Sequence, residues 1–343
     1  MLKLGVVERD GVRRPRTLAG RRRYVSLLLL RELAADRSVS AEEYDRLAGH
    51  ACMPNGVWKL TGHGRLRTLD TAVVELLARR HPSKTPLVVC DLAASTGATS
   101  VDFFRALQAQ FAVRFVASDL YRDLIAVRDR RRGMAVVFDG SGQEVQYLWG
   151  RFVLPAAPPE SIAYPVNRAL KALMQRSFVP RARHALRDAA VSRLQPFAAM
   201  EADGYEIVKL PMLTRDTLAA IAAGDGFTFE EWNIFQPLPE RAHVVRAMNI
   251  LTPEHFPDDQ RARAVQHCVE AVLPGGLFIV GSSPTADPAS VQASVYAVEA
   301  GKLVRLAALN GGSEIDGIVA RSYAIEEPAR EPAEGLARAA RHG

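Results

Sequence analysis

The chain has 343 residues, 48% of them hydrophobic and 24% charged. This composition excludes collagen-like, coiled-coil and wholly disordered chains, and the length predicts about two domains or one large domain with additions. The formal charge of +6 is modest for this length and does not by itself indicate nucleic acid or another anionic partner.

The cysteines and the apolar runs bear on the setting of the protein. Cys52, Cys90 and Cys268 are widely spaced and have no histidine cluster beside them. They indicate neither a disulfide framework nor a zinc site, so we expect no bound metal and a reducing, cytoplasmic setting. Tyr24–Leu30 follows three arginines, as in an export segment, but it is far shorter than the ~20 apolar residues that a membrane-spanning helix requires.

Residues 1–85 are basic and show mostly helical periodicity. The segments with this periodicity are Tyr24–Ala35, Ala41–Ala51 and Leu69–Arg80. We therefore predict an amino-terminal helical domain over residues 1–85. Its first 32 residues contain nine Lys or Arg against three acids. That excess indicates either a solvated basic surface or a group of cations that grips an anionic substrate.

The pattern changes from helix to strand after the loop that ends at Pro86. Leu87–Cys90 is an unbroken apolar run of the kind found in strands buried on both faces. A helical segment, Ser100–Gln110, and a second apolar run, Phe111–Ala117, follow it. Strand, helix and strand in this order are typical of a right-handed crossover unit, so we predict that a parallel sheet begins at residue 87.

The alternation of strands and helices continues towards the carboxyl end. The further segments with strand patterns are Phe227–Phe235, Ala242–Leu251, Leu277–Gly281, Val291–Val298 and Leu303–Leu309, and those with helical patterns are Asp216–Ala223 and Asp258–Val272. The pattern favours an α/β fold with an open, doubly wound, mostly parallel sheet over residues 86–325. The composition of residues 326–343 indicates a flexible tail.

Residues 121–211 interrupt this alternation. Two strand patterns, 135–138 and 145–153, flank the turn Asp139–Gly142 and predict a hairpin. A helix with an apolar stripe from Val166 to Phe178 follows a proline-rich link. We interpret the whole segment as an insertion that caps the ligand edge of the sheet and shapes the pocket for the substrate.

The segment Val88–Gly97 is the most informative part of the sequence for chemistry. It places Asp91 at the carboxyl end of a buried strand and follows it with small residues that turn into a helix. Ligands of open α/β sheets bind outside the carboxyl ends of the strands. Asp119 ends the next strand, where an ionised carboxylate can accept hydrogen bonds from two ribose hydroxyls.

Residues 91–97, with the sequence Asp-Leu-Ala-Ala-Ser-Thr-Gly, resemble the first motif of class I S-adenosylmethionine-dependent methyltransferases, usually Asp-x-Gly-x-Gly-x-Gly. Asp119 matches the acid that holds the cofactor ribose in that family. Residues 230–235, 244–251 and 272–277 resemble the family's third motif, its fourth strand and its turn before the fifth strand. Ala93 and Ser95 stand in place of two of the usual glycines.

The resemblance implies a seven-stranded sheet, S-adenosylmethionine as cofactor, and methyl transfer to an oxygen, nitrogen or carbon of a small molecule or a protein side chain. The residues that it places against the cofactor are Asp91, Ala93, Ser95, Thr96, Gly97, Asp119, Leu120, Asn233, Ile234, Met248 and Asn249. It names no catalytic residue. Asn249 is either a catalytic group or a cofactor contact, and Arg246 is either a catalytic group or the partner of a surface acid.

Within the class, residues 94–97, 248–251 and 281–283 are similar to the chemotaxis-receptor glutamate methyltransferases. The acids that follow the first motif in that family are replaced by Ala98 and Thr99, so only the architecture is carried over, and the acceptor is not identified. Three other functions remain as alternatives. They are a cofactor-binding module without catalysis, a nicotinamide-dependent oxidoreductase, and a protein that binds nucleic acid through the basic head and Arg128–Arg132. Nucleic acid is not the partner that we expect.

Overall fold

A computed structural model describes residues 26–36, 38–49, 51, 53–54, 59, 61–81, 85–150, 152–156, 165–187 and 189–326. Nearly all of the predicted basic head, and the predicted tail beyond Glu326, lie outside these residues. The longest described helix has 14 residues. No helix in this part of the chain combines the length and apolarity that a membrane span requires.

Helices and strands are numbered in chain order. The helices are α1 (Leu29–Ala35), α2 (Ala41–Gly49), α3 (Arg67–Arg80), α4 (Ala98–Gln108), α5 (Pro165–Ser177), α6 (Val179–Arg187), α7 (Arg215–Ala223), α8 (Asp258–Glu270) and α9 (Asp316–Ser322). The strands are β1 (Leu87–Leu92), β2 (Val113–Asp119), β3 (Asp123–Asp129), β4 (Met134–Phe138), β5 (Glu144–Trp149), β6 (Phe152–Pro155), β7 (Ala199–Ala202), β8 (Tyr205–Pro211), β9 (Phe227–Glu231), β10 (Ala242–Met248), β11 (Val272–Ser282), β12 (Gln292–Glu299), β13 (Lys302–Leu309) and β14 (Ile325–Glu326).

The chain divides into two compact units at different boundaries from those predicted. One unit comprises Met1–Leu60 and Tyr121–Arg215, and the other comprises Thr61–Leu120 and Asp216–Gly343. The predicted helical domain of residues 1–85 is therefore split, with α1 and α2 in the first unit and α3 in the second. Helical periodicity shows that a segment has an apolar face, but it does not show which core that face joins.

The second unit, here called the parallel-sheet unit, contains one sheet in the order β14-β13-β12-β11-β10-β1-β2-β9. Strands β9, β2, β1, β10 and β11 are mutually parallel, and β12 runs antiparallel to β11. The predicted open, mostly parallel sheet is present. It has eight strands rather than seven among the described residues, because β14 adds a two-residue strand beside β13.

The order of the parallel strands creates a switch point between β1 and β10. From β1 the chain proceeds outward to β2 and β9, then returns to β10 on the other side of β1 and continues to β11. Loops that follow β1 and β10 therefore turn in opposite directions and leave a crevice outside the carboxyl ends of these two strands.

The first unit, here called the antiparallel-sheet unit, contains a six-stranded sheet in the order β6-β5-β4-β3-β8-β7. Every described pairing in it is antiparallel. The predicted hairpin is present as β4 and β5, and four further strands of the segment 121–211 extend it to a sheet with two covered faces. The strand predicted at 145–153 divides at Gly150, whose φ of 54° turns the chain between β5 and β6.

Side chains of this sheet alternate between two cores. On one face, Leu124 and Val137 pack with Leu30 and Tyr44 of the amino-terminal helices. On the other face, Val136 packs with residues of α5 and α6, among them Met174, Phe178 and Ala182. The helix predicted from Val166 to Phe178 is present as α5, and a second helix, α6, follows it. Arg128–Arg132, which belong to the nucleic-acid alternative, occupy the end of β3 and the turn into β4.

Candidate functional site

The residues predicted to contact a cofactor follow the carboxyl ends of parallel strands. The loop 93–97 follows β1, Asp119 ends β2, Asn233 follows β9, and Asn249 follows β10. Because these four strands are parallel neighbours, the residues lie along one edge of the sheet. Backbone hydrogen bonds join the segments, with 2.8 Å from Ala94 N to the Ser118 carbonyl and 3.1 Å from Trp232 N to the Asp119 carbonyl.

The loop 93–97 keeps the backbone conformation of a glycine-rich loop although it contains a single glycine. The φ angles of Ala93, Ser95 and Gly97 are 55°, 57° and 85°. These are the three positions at which the resembling motif has glycine. A side chain held in the left-handed region costs about 1–2 kcal/mol per residue, so Ala93 and Ser95 are both strained.

We expect Ala93→Gly and Ser95→Gly each to raise the free energy of unfolding by about 0.5–1 kcal/mol. Relief of about 1–2 kcal/mol of backbone strain exceeds the roughly 0.5–1 kcal/mol that glycine loses in chain entropy. Urea denaturation measures the difference. Ala94→Gly is the matched control, because Ala94 lies between them without a positive φ and should lose stability. A loss of stability in both test variants would contradict the assignment of strain.

Asp119 is tied directly to this loop. Its Oδ2 accepts a hydrogen bond of 2.8 Å from the backbone N–H of Ser95. The residue is half-buried, and the adjacent Leu120 is 41% exposed, so the carboxylate lies at an accessible edge. The predicted acid of β2 and the predicted loop of β1 are therefore brought together, and both can face the same ligand.

The remaining predicted residues flank this pair. The Asn233 side chain accepts a hydrogen bond from Phe235 N at 3.0 Å and shapes the turn after β9, in which Ile234 is buried. Asn249 has a φ of 58°, and its side chain accepts a hydrogen bond of 2.6 Å from Ser283 N. Its preceding residue, Met248, is only 6% exposed. These bonds show that both asparagines fix the backbone of the edge, whatever else they bind.

Helix α7 contacts the loop at Thr96 and Gly97 through Thr217. Thr217 Oγ1 donates a hydrogen bond of 3.0 Å to the Thr96 carbonyl. A Cβ added to Gly97 would lie 2.5 Å from Thr217 Oγ1 and 2.6 Å from Thr217 Cγ2. Only glycine fits between the loop and this buried threonine, and the site therefore depends on it.

The carboxylate of Asp91 is buried and bonded by side chains of this chain. The residue is 3% exposed. Its two oxygens accept hydrogen bonds of 2.8 and 2.6 Å from Arg246 Nε and Nη2, and Oδ2 also accepts 2.6 Å from Ser100 Oγ. Asp91 therefore anchors the loop and the start of α4, and its contact with a cofactor stays a prediction.

Arg246 joins two buried carboxylates. Besides Asp91, it donates a hydrogen bond of 2.7 Å to Asp70 of α3, and its guanidinium lies 4.4 Å from the ring centre of Phe103. The arginine is 1% exposed. Burial acts to lower the pKa of Arg246, but the two carboxylates outweigh it and hold the pKa above its ordinary value. Arg246 is thus the partner of buried acids, not of a surface acid.

The pair of carboxylates leaves one negative charge uncompensated beside Arg246. Burial raises the pKa of Asp70 to about 7, against the opposing effect of Arg246, and the charges of Asp91 and Asp102 add to the increase. In the folded protein Asp70 therefore binds a proton between about pH 4 and pH 7 that the unfolded chain releases. Stability conferred by this group is lost as the pH rises through that interval.

We predict that the free energy of unfolding falls between about pH 4 and pH 7 and that Asp70→Asn reduces this fall. A shift from 3.8 to about 7 corresponds to at most about 4 kcal/mol. The neutral amide still accepts the bond from Arg246, so the variant should be more stable than the parent at pH 8 and similar near pH 4. Urea denaturation across this range tests the prediction. An unchanged slope would contradict it.

Asp70 and the pairing of Arg246 were not predicted from the sequence. A signal for Asp70 exists, because it shares the buried stripe of α3 with Val73, Val74 and Leu77 at helical spacing. An acid in such a stripe requires a buried cation. Arg246 stands between Val245 and Ala247 in a strand buried on both faces, which is the matching signal.

The described residues contain no group of three or more His, Cys, Asp or Glu that could hold a metal ion. Burial raises the pKa of Cys90 and of Cys268 to about 12, so neither thiol is a thiolate nucleophile at neutral pH. The chemistry that this edge can perform is therefore binding and alignment through a carboxylate, backbone N–H groups and amide side chains.

No protein-family model and no curated protein matches the chain. Three of the solved structures similar to it are methyltransferases. An O-methyltransferase family protein from Burkholderia thailandensis has 12% identity and a TM-score of 0.27, with 73% of this chain and 42% of that chain covered. N-methyltransferase NodS from Bradyrhizobium japonicum WM9, in complex with S-adenosyl-L-homocysteine, has 12% identity and a TM-score of 0.27, with 74% and 70% covered.

The third is magnesium protoporphyrin IX methyltransferase from Synechocystis PCC 6803 with bound S-adenosylmethionine. It has 13% identity and a TM-score of 0.25, with 73% of this chain and 66% of that chain covered. This chain spans about two fifths of the length of the Burkholderia protein. At such identities and TM-scores the likeness carries no conclusion about function, which rests on the residues of this chain.

Proposed function

We propose that this chain is an enzyme that binds S-adenosylmethionine at the carboxyl edge of the parallel-sheet unit. It transfers the methyl group to an oxygen, nitrogen or carbon nucleophile of a small molecule or a protein side chain. The observation that carries the proposal is the loop 93–97. Its backbone has the left-handed conformation at all three glycine positions of the resembling motif, although Ala93 and Ser95 are strained in that conformation.

The residues of the edge fit the chemistry of this cofactor. Asp119 is reachable and carries a carboxylate suited to a ribose diol. Backbone N–H groups at the start of α4 face a carboxylate-bearing ligand favourably, because a helix amino terminus attracts negative charge. In this proposal the amide of Asn233, in the segment that resembles the family's third motif, contacts adenine, and Ile234 and Met248 supply apolar surface for its ring.

Asp91 and Arg246 are positioning residues in this proposal. They hold β1, β10 and the start of α4 in one arrangement, and Ser100 adds a bond from α4 to the same carboxylate. When bound, S-adenosylmethionine supplies a methyl group on a sulfonium leaving group. The main task of the chain is then alignment in a dry site, which contributes about 7–11 kcal/mol to rate acceleration. A role of segment 121–211 in binding the acceptor stays a prediction.

The test combines binding with transfer. We expect the melting temperature to rise with the concentration of S-adenosylmethionine or its demethylated product, because a ligand that binds only the folded state stabilises it. Transfer from a donor with a labelled methyl group, followed across a screen of acceptors, tests catalysis. Binding without transfer would favour the cofactor-binding module. No shift at millimolar ligand on folded protein, with enhanced NADH fluorescence, would favour the oxidoreductase.

A further inference from the structure

Helices α5 and α6 and the segment that follows them are strongly basic. Between Pro165 and Met200 the described residues contain no Asp or Glu. Their cationic residues are Arg168, Lys171, Arg176, Arg181, Arg183, Arg187 and Arg193. Asp188, the one acid of this stretch in sequence, lies outside the described residues, and Glu201 follows the stretch directly in β7. Seven cations against one acid, Asp188, give residues 165–200 a formal charge of +6.

The two helices present these cations to solvent because their apolar residues face the sheet. Met174, Phe178 and Ala182 are buried against the antiparallel sheet. Two cations are engaged locally, since Lys171 donates to the Ala156 carbonyl at 3.0 Å and Arg183 bonds Glu144 at 2.5 Å. The exposed arginines Arg176, Arg181, Arg187 and Arg193 define the α5–α6 basic face.

We propose that the α5–α6 basic face binds the phosphate backbone of a nucleic acid. Arginine matches phosphate with a rigid, bidentate fork, whereas lysine offers a point charge. Phosphates spaced regularly along a strand complement cations spread over two helices and the following segment. The proposal does not depend on methyl transfer and applies to this unit of the chain alone.

An anionic membrane is the less suitable partner. A helix that lies in a membrane surface inserts an apolar face, but the apolar faces of α5 and α6 are used in the core of the unit. Leu173, 47% exposed, is the one large apolar side chain of these helices that is described as exposed.

The test is fluorescence anisotropy with a labelled single-stranded RNA of about 24 nucleotides, titrated with the full chain at several salt concentrations. The variant is Arg176→Gln/Arg181→Gln/Arg187→Gln. The matched control is Arg79→Gln/Arg241→Gln/Arg263→Gln, which removes the same charge from exposed arginines of the other unit. Melting curves confirm that both fold like the parent.

We expect the parent to bind RNA with an affinity that falls steeply with salt. The test variant should bind at least about tenfold more weakly, and its slope of log affinity against log salt should be shallower by about 2, since each phosphate contact contributes roughly 0.7 for single strands. The control should stay within about threefold of the parent. Equal losses in both variants, a flat salt dependence, or binding to phosphatidylserine vesicles without binding to RNA would each overturn the proposal.

Discussion

Replacement of Arg246 by methionine is expected to lower the free energy of unfolding by about 3–5 kcal/mol at pH 7. The arginine is 1% exposed and bonds both Asp91 and Asp70. Its removal leaves two buried carboxylates without a cation, and the desolvation of each is then uncompensated. Urea denaturation of the parent and the variant measures the loss.

A neutral triple variant is the control for this interpretation. Arg246→Met/Asp70→Asn/Asp91→Asn removes all three charges, and replacement of a whole buried ion cluster by neutral groups is often close to neutral. We therefore expect it to recover most of the stability lost in the single variant. A single variant that loses less than about 1 kcal/mol, or a triple variant that is no more stable than the single one, would contradict the central position of Arg246.

Gly97→Ala is expected to lower the free energy of unfolding by about 2–4 kcal/mol. A methyl group at a φ of 85° adds strain of about 1–2 kcal/mol. Its contact with Thr217, at 2.5 Å in the present backbone, adds overpacking of about 1–3 kcal/mol. Since the loop and α4 must shift to relieve the contact, ligand binding at the edge should weaken as well. Denaturation and calorimetric titration follow the two effects.

Thr217→Ala separates the two causes. It removes Oγ1 and Cγ2, the two atoms closest to the added methyl group, but leaves the backbone at residue 97 unchanged. The double variant Gly97→Ala/Thr217→Ala should therefore be more stable than the sum of the single effects predicts, by about 1–2 kcal/mol. Strict additivity would show that the steric contact does not limit the loop.

The parallel sheet and its ligand edge could be predicted because local rules agree there. Leu87–Cys90 is apolar on both faces because β1 is a central strand, and Asp91 with the small residues after it marks the turn into α4. Asp119 could be placed because consecutive parallel strands end at one edge. The left-handed backbone of Ala93 and Ser95 could be suspected only through the resemblance, since neither residue favours it.

The second sheet and the buried charges could not be predicted to the same degree. β7 is four residues long and partly exposed, so Ala199–Ala202 lacks an apolar pattern. Helices α1 and α2 belong to the same unit as residues 121–215 because side chains far apart in the sequence share one core. Leu30 and Val137 are examples. Asp91 has the same sequence signal with or without a buried arginine beside it, and only the fold shows its bonds with Arg246.

The central claim is that Asp119 and the loop 93–97 form a binding edge for S-adenosylmethionine. Calorimetric titration of the chain with S-adenosyl-L-homocysteine tests it most directly, alongside Asp119→Ala and, as a matched control, the exposed Asp259→Asn. The account predicts saturable binding that weakens about 10- to 100-fold in Asp119→Ala, from the loss of charge-assisted hydrogen bonds, and is unchanged in Asp259→Asn. Absence of binding to the folded parent, or equal affinity in Asp119→Ala, would contradict it.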